Sequence, residues 1–111
     1  MLSFVVAPKV KFAVDGEETG ADGTIKPFSF DLVGKRLSVE ELEAYTKGEQ
    51  ATLTLRDFLV ENIEDWDRVR DDHNQPVQFN ADNFRQVLTR PGMVTLALRK
   101  YQAAIQARAK N

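Results

Sequence analysis

Val10, Phe12 and Val14 alternate with Lys9, Lys11 and Ala13, a period of two that predicts a strand with one buried and one mostly solvated face. The run from Asp15 to Gly23 carries three glycines and four acids, and predicts a turn-forming, flexible connection. Phe28, Phe30 and Leu32 then alternate with Ser29 and Asp31, which predicts a second strand. Pro27 cannot donate a ladder hydrogen bond, so it fits a strand start or a sheet edge. Together the two strands read as a β-hairpin. A lone hairpin is marginal in water, so its Phe-rich face has to pack on something else.

From Gly34 the period changes. Ser38-Val39-Glu40-Glu41 matches a capping box, in which the Ser38 hydroxyl accepts from the Glu41 amide and the Glu41 carboxylate reaches back. Val39, Leu42 and Tyr45 lie on one side of the helix that follows, and Gly48 suits its C-terminal stop. A second helix is expected from about Thr52 or Thr54 to Ile63, its stripe of Leu55, Phe58, Leu59, Asn62 and Ile63 running on to Trp66. Asn62 sits on or beside that stripe and needs a partner if buried. Arg68 to Asn80 breaks the period with turn residues, and Val77 and Phe79 alternate within it. Asn80 can cap a third helix carrying Phe84, Val87 and Leu88, ended by Arg90-Pro91-Gly92. A last helix runs from about Met93 to Ala109, with Val94, Leu98, Tyr101 and Ile105 as a stripe and Ala97 and Ala104 beside it. The expected fold is α+β: an N-terminal hairpin region (1–33) packed on a mainly helical region of about four helices (34–111).

At 111 residues the chain has room for one domain and a real core. With no cysteine, disulfides, thiolate metal sites and a cysteine nucleophile are excluded. His73 is the only histidine, which excludes multi-histidine metal sites. The apolar start Met1 to Pro8 is short for a signal segment and has no basic residues before it, and no run approaches a membrane span. A cytoplasmic protein is the expectation.

The acidic stretch Glu64 to His73 invites a metal reading. A calcium loop needs alternating oxygen ligands and a central glycine, but Val69 occupies a ligand position and the glycine is missing. His73 beside Asp71 and Asp72 has no evident nucleophile or oxyanion site near it. Gly16, Gly20 and Gly23 lack the lysine and following helix of a phosphate loop. No catalytic, cofactor or metal residue is therefore assigned.

Charge is uneven. Met1 to Asp82 holds all 17 acids and carries −8, whereas Asn83 to Asn111 has six bases, no acid and a charge of +6. Such an asymmetry marks an acidic-partner or nucleic-acid surface, or cations placed at helix C-termini. The bases are sparse and lack interleaved aromatics, which makes nucleic acid the weaker partner reading. Arg99, Lys100, Tyr101 and Arg108 of the last helix are the candidate partner-binding residues, with self-association through the acidic body of a second copy. Trp66, Phe79, Leu88 and Tyr101 are the candidate structural anchors.

Several of these features, in this order, resemble the tail assembly chaperones of long-tailed bacteriophages. Members of that family have an N-terminal strand followed by a basic pair and a capped helix, here Lys35-Arg36 and Ser38-Val39-Glu40-Glu41. They continue with an apolar helix ending at a tryptophan, a polar turn of the type acidic–Gly–x–Pro–Val–x–Phe–Ser/Thr, a Leu-Leu-like pair, a proline break and a final helix with an aromatic residue. The counterparts are Trp66, Asn74 to Asn80, Val87-Leu88, Arg90-Pro91-Gly92 and Tyr101. Asp65 stands where a glycine commonly precedes the tryptophan, and Asn74-Gln75 replaces the turn glycine. Asn74 still tolerates a positive φ.

The resemblance implies a non-enzymatic assembly factor. It would coat the tape measure protein, help recruit tail-tube subunits and be absent from the mature virion. It also implies a longer frameshifted product, for which Ala109-Lys110-Asn111 permits a slippery run of adenines. The alternatives are a structural tail or head-completion protein retained in the particle, and a small regulatory nucleic-acid-binding domain.

Overall fold

A computed structural model describes residues 7–47 and 54–107. The chain order is β1 (Lys9–Thr19), β2 (Ile25–Lys35), α1 (Val39–Lys47), α2 (Leu55–Asn62), β3 (Ile63–Asp67), α3 (Ala81–Leu88) and α4 (Met93–Ile105). The fold is α+β: a three-stranded antiparallel sheet in the order β1-β2-β3, with four helices among the described residues.

Alternation builds the inner face of the sheet. Val10, Phe12 and Val14 of β1 pair with Gly34, Leu32 and Phe30 of β2, and all but the glycine are buried apolar side chains. α4 packs on β1, and the Tyr101 ring stacks on Phe12 with centroids 5.5 Å apart. Gly34 lies under this contact. A Cβ there would come within 2.8 Å of Ile63 Cδ1 and 3.1 Å of Tyr101 Cε1, so only glycine leaves room.

The segment from Ile63 to Trp66 is a correction to the sequence reading. It is strand β3, and α2 stops at Asn62. The register with β2 slips between Val33 and Gly34, leaving Glu64 as the extra residue of a bulge. Ile63 and Trp66, three apart, therefore both face inward, opposite Gly34 and Leu32.

The hairpin also differs from the expectation. Its strands continue through the glycine- and acid-rich run to Thr19, and the turn is only Gly20 to Thr24. Gly20 N–H donates to Thr24 O at 2.7 Å, and Asp22 Oδ1 accepts from Thr24 N–H at 3.0 Å. Gly23 takes a φ of 83°, a conformation a glycine adopts without a steric penalty. At the other end, β2 runs past Gly34 to Lys35.

The helix caps follow the sequence closely. Ser38 Oγ accepts from Glu41 N–H at 3.1 Å, and Glu41 Oε1 accepts from Ser38 N–H at 3.0 Å. Thr54 caps α2 through Asp57 N–H, and Asn80 caps α3 through Asn83 N–H at 2.8 Å. Asn62 is buried and partnered: its amide donates to Phe58 O at 3.0 Å and to the Tyr45 hydroxyl at 3.2 Å.

Three apolar assignments shift. Val39 and Leu55 are exposed rather than core. On α4 the buried line is Met93, Ala97 and Tyr101, while Val94, Leu98 and Ile105 are half-buried, and the helix ends at Ile105 rather than near Ala109. Ala97 is small enough to let α4 approach the sheet, which brings its own line inward. The proposed stop at Gly48 and the terminal Ala109-Lys110-Asn111 lie outside the described residues.

Candidate interaction surface

Trp66 organises the side of the domain beyond β3. Its indole is buried, and Nε1–H donates to Val77 O at 2.8 Å. Phe79 and Phe84 meet its ring edge-on, with centroids at 5.2 and 6.3 Å. The intervening turn is built to deliver those partners. Asp71 Oδ1 accepts from His73 N–H and Gln75 N–H at 2.9 and 3.0 Å, and Asn74 takes a φ of 60°. Arg70 bridges to Pro76, and Val77 N–H donates to Val69 O at 3.0 Å, which sets Val77 and Phe79 beneath the indole. Trp66, Phe79 and Leu88 thus stand as anchors: Trp66 and Leu88 are in the buried core, and Phe79 is partly buried against it.

Of the four partner-binding candidates, the three that lie among the described residues, Arg99, Lys100 and Tyr101, do not share one surface. Arg99 is exposed. Lys100 is half-buried, with its ammonium 3.1 Å from Asp15 Oδ1 on β1, which holds that carboxyl below its usual range. Tyr101 is fully buried, stacked on Phe12, and its hydroxyl donates to Lys35 O. Lys35 lies one residue beyond the last β2–β3 pair, Gly34 with Ile63, so a side chain takes the place of a strand partner for its carbonyl. Burial raises the Tyr101 phenol well above its ordinary value. Tyr101 is therefore an anchor, and its place as a contact residue is corrected. Arg108 lies outside the described residues.

Part of the basic end is matched within the fold. Arg90 Nη1 lies 2.6 Å from Glu18 Oε1, and with the Lys100–Asp15 pair it ties the helices to the hairpin's distal half. His73 is exposed, with Asp72 Oδ1 at 3.7 Å as its carboxylate neighbour. Among the described residues no group of three or more histidine, aspartate or glutamate side chains is placed to hold a metal ion. No helix among them is long and apolar enough to cross a membrane.

A cleft of about 200 Å³ lies between β2, the segment after β3, and the α3–α4 junction. Its apolar lining includes Phe28, Phe30, Val69, Val87 and Met93, and Arg68, Arg70 and Arg90 contribute three guanidiniums. Each arginine is positioned. Arg68 donates from Nε and Nη2 to the two Asp31 carboxylate oxygens at 2.8 and 3.0 Å, Arg70 donates to Asn74 O at 3.2 Å, and Arg90 holds Glu18.

Arg68 reaches Asp31 from a left-handed backbone, φ 63°, at the end of β3. Asp31 stands directly opposite Asp67, and like charges so placed repel. The Arg68 hydrogen bonds relieve this and depress the Asp31 carboxyl, while Lys11 Nζ reaches Asp67 at 3.3 Å. An apolar floor with guanidiniums beside it suits an apolar side chain flanked by carboxylates. The sequence carries this cleft only as Arg68-Val69-Arg70, an alternation that places Val69 inward between two cations.

Comparison with family models, with curated proteins and with solved structures finds no match to this chain.

Proposed function

We propose that the chain is a non-enzymatic tail assembly chaperone of a long-tailed phage or prophage. It binds the tape measure protein, helps recruit tail-tube subunits in the host cytoplasm, and leaves before the virion is complete. The observation that carries this reading is the packing together of one part of the pattern on which the resemblance rests. Trp66, the turn through Pro76 and Val77, and Phe79 form one packed unit. The arginine-lined cleft beside that unit supports protein recognition, since an extended partner segment with acids around an apolar residue fits it.

Co-expression tests the proposal. The tape measure protein encoded with this chain should become soluble and co-purify with it, and mass spectrometry of purified particles should not detect the chain. Detection in the particle at stoichiometric level would overturn the chaperone reading in favour of a tail or head-completion component. Duplex DNA binding that weakens steeply with salt would point instead to a regulatory domain.

A further inference from the structure

β1 is an outer strand of the sheet, and its hydrogen-bonding direction can be read from its two ends. Arg36 N–H donates to Pro8 O at 2.9 Å, and Gly20 N–H donates to Thr24 O at 2.7 Å. Even-numbered residues along this strand therefore turn their backbone groups toward β2. In an antiparallel ladder the direction alternates, so Lys9, Lys11, Ala13, Asp15 and Glu17 present N–H and C=O groups to the other edge. Among the described residues no strand lies on that side. The edge is 11 residues long, its register with β2 is unbroken, and it contains no proline. Short length, bulges, prolines and charged side chains are the usual protections against edge pairing, and of these β1 carries the charges.

The charges along this edge are self-complementary. Lys9 and Lys11 occupy one half, Asp15 and Glu17 the other, and Ala13 lies between them. We infer that β1 pairs antiparallel with β1 of a second copy, about a two-fold axis through Ala13. In that register Ala13 meets the partner's Ala13 as a hydrogen-bonded pair. Lys11 stands opposite the partner's Asp15 and Lys9 opposite the partner's Glu17, so all four charged side chains meet an opposite charge. Moving the axis by one residue breaks both matches and leaves a single kind in their place, Lys9 with Asp15 at Phe12 or Lys11 with Glu17 at Val14.

Lys9, Lys11 and Asp15 already touch Glu64, Asp67 and Lys100 at 2.7, 3.3 and 3.1 Å within the chain. The β1 members of these pairs, Lys9, Lys11 and Asp15, remain exposed, so a second copy can share them rather than displace a buried network. The product is a continuous six-stranded sheet with α4 of each copy on one face. The inference holds whether or not the chain serves tail assembly.

Solution mass of the intact chain tests it. Light scattering at rising protein concentration should approach twice the 12.6 kDa of the chain. Ala13→Pro should yield a monomer with unchanged circular dichroism, because the amide it removes faces the open edge and not β2. Lys11→Glu should raise the dimer dissociation constant on the order of tenfold by setting two like-charge pairs in each interface. Adding Asp15→Lys to that variant should restore pairing. The chain has no cysteine, so Ala13→Cys should oxidise to a disulfide dimer at low concentration, the expected Cα spacing of about 5.5 Å being within disulfide reach. Ala81→Cys on α3 should not. A chain that stays monomeric at every concentration overturns the inference. So does an oligomer indifferent to the charge reversal and its rescue, and if Ala13→Pro fails to fold, the charge and cysteine variants still decide.

Discussion

Replacing Trp66 separates a packing role from a contact role. The indole is 8% exposed, lies edge-on to Phe79 and Phe84, and donates to Val77 O at 2.8 Å. Deleting a buried tryptophan to alanine costs about 3–5 kcal/mol, from lost transfer energy and the cavity left behind. Within that total, the orphaned Val77 carbonyl accounts for about 1 kcal/mol. A domain of this size has a net stability of about 5–15 kcal/mol. Each kcal/mol moves the Tm by about 4–8 °C, so Trp66→Ala should lower it by on the order of 12–40 °C.

Trp66→Phe keeps a ring against Phe79 and loses the N–H and part of the area, and should cost about 1–2 kcal/mol. Urea unfolding followed by far-ultraviolet circular dichroism reads both variants without depending on the tryptophan signal. The midpoint should fall with little change in slope. A loss under 1 kcal/mol for Trp66→Ala, or equal losses for the two variants, refutes the packing account. An alanine variant as stable as wild type that no longer binds the tape measure protein would make Trp66 a contact residue.

Tyr101→Phe should cost about 1–2 kcal/mol by leaving the Lys35 carbonyl without its donor. Because burial raises the phenol's pKa, its stabilisation is complete below the ordinary value of about 10 and is lost as pH rises beyond it. The phenylalanine variant should lack that alkaline loss in thermal melts. Asp31 has the opposite sign. The Arg68 hydrogen bonds depress it, so its contribution is present above about pH 4 and is lost as pH falls. Arg68→Ala should lower stability slightly at neutral pH and flatten acid unfolding, measured as stability between neutral and acid conditions. Gly34→Ala should destabilise by about 1–3 kcal/mol in a urea titration, since its Cβ would crowd Ile63 and Tyr101. Arg90→Ala with Lys100→Ala should speed amide exchange in the distal hairpin, residues 15–29, and leave β3 protected, because both cations anchor that half.

Much of the fold was legible because local chemistry and tertiary context agree. The capping box at Ser38, the Asn80 cap and the alternation at Val10, Phe12 and Val14 each state a geometry that packing then uses. β3 was not legible for a definite reason. A bulge at Glu64 spaces the inward residues Ile63 and Trp66 three apart, which imitates a helical turn and extends the stripe of α2 without a break. A helix running straight into a bulged strand leaves no turn residue to mark the change. On α4 the ambiguity was rotational. Stripes through Val94 and Leu98 or through Met93 and Ala97 are both apolar, and only the sheet beneath decides which one faces in. The cleft was hidden because its lining comes from β2, the segment after β3, α3 and α4.

The charge partition, read from the sequence as a partner signal, has a structural use that the chain order conceals. β3 pairs with β2 only from Asp31 to Gly34, so among the described residues the hairpin beyond them is a two-stranded ribbon. Such a ribbon is marginal in water, and its run of glycines and acids favours a loose loop. Contacts from the helical end stabilise it. Arg90 holds Glu18, Lys100 holds Asp15, and Gly16 lets Phe28 and Leu96 close over the strand where a Cβ would sit 2.7 Å from Phe28 Cζ. The acids of the hairpin and the bases after Asp82 are thus two halves of one clasp. Two of the six bases behind the +6 are engaged in it. Of the partner candidates on α4, Arg99 is then the exposed cation that this clasp does not use. Arg68 is likewise engaged, by Asp31, whereas Arg70 donates to the Asn74 carbonyl at 3.2 Å and adds an exposed cation at the cleft by the ribbon's base.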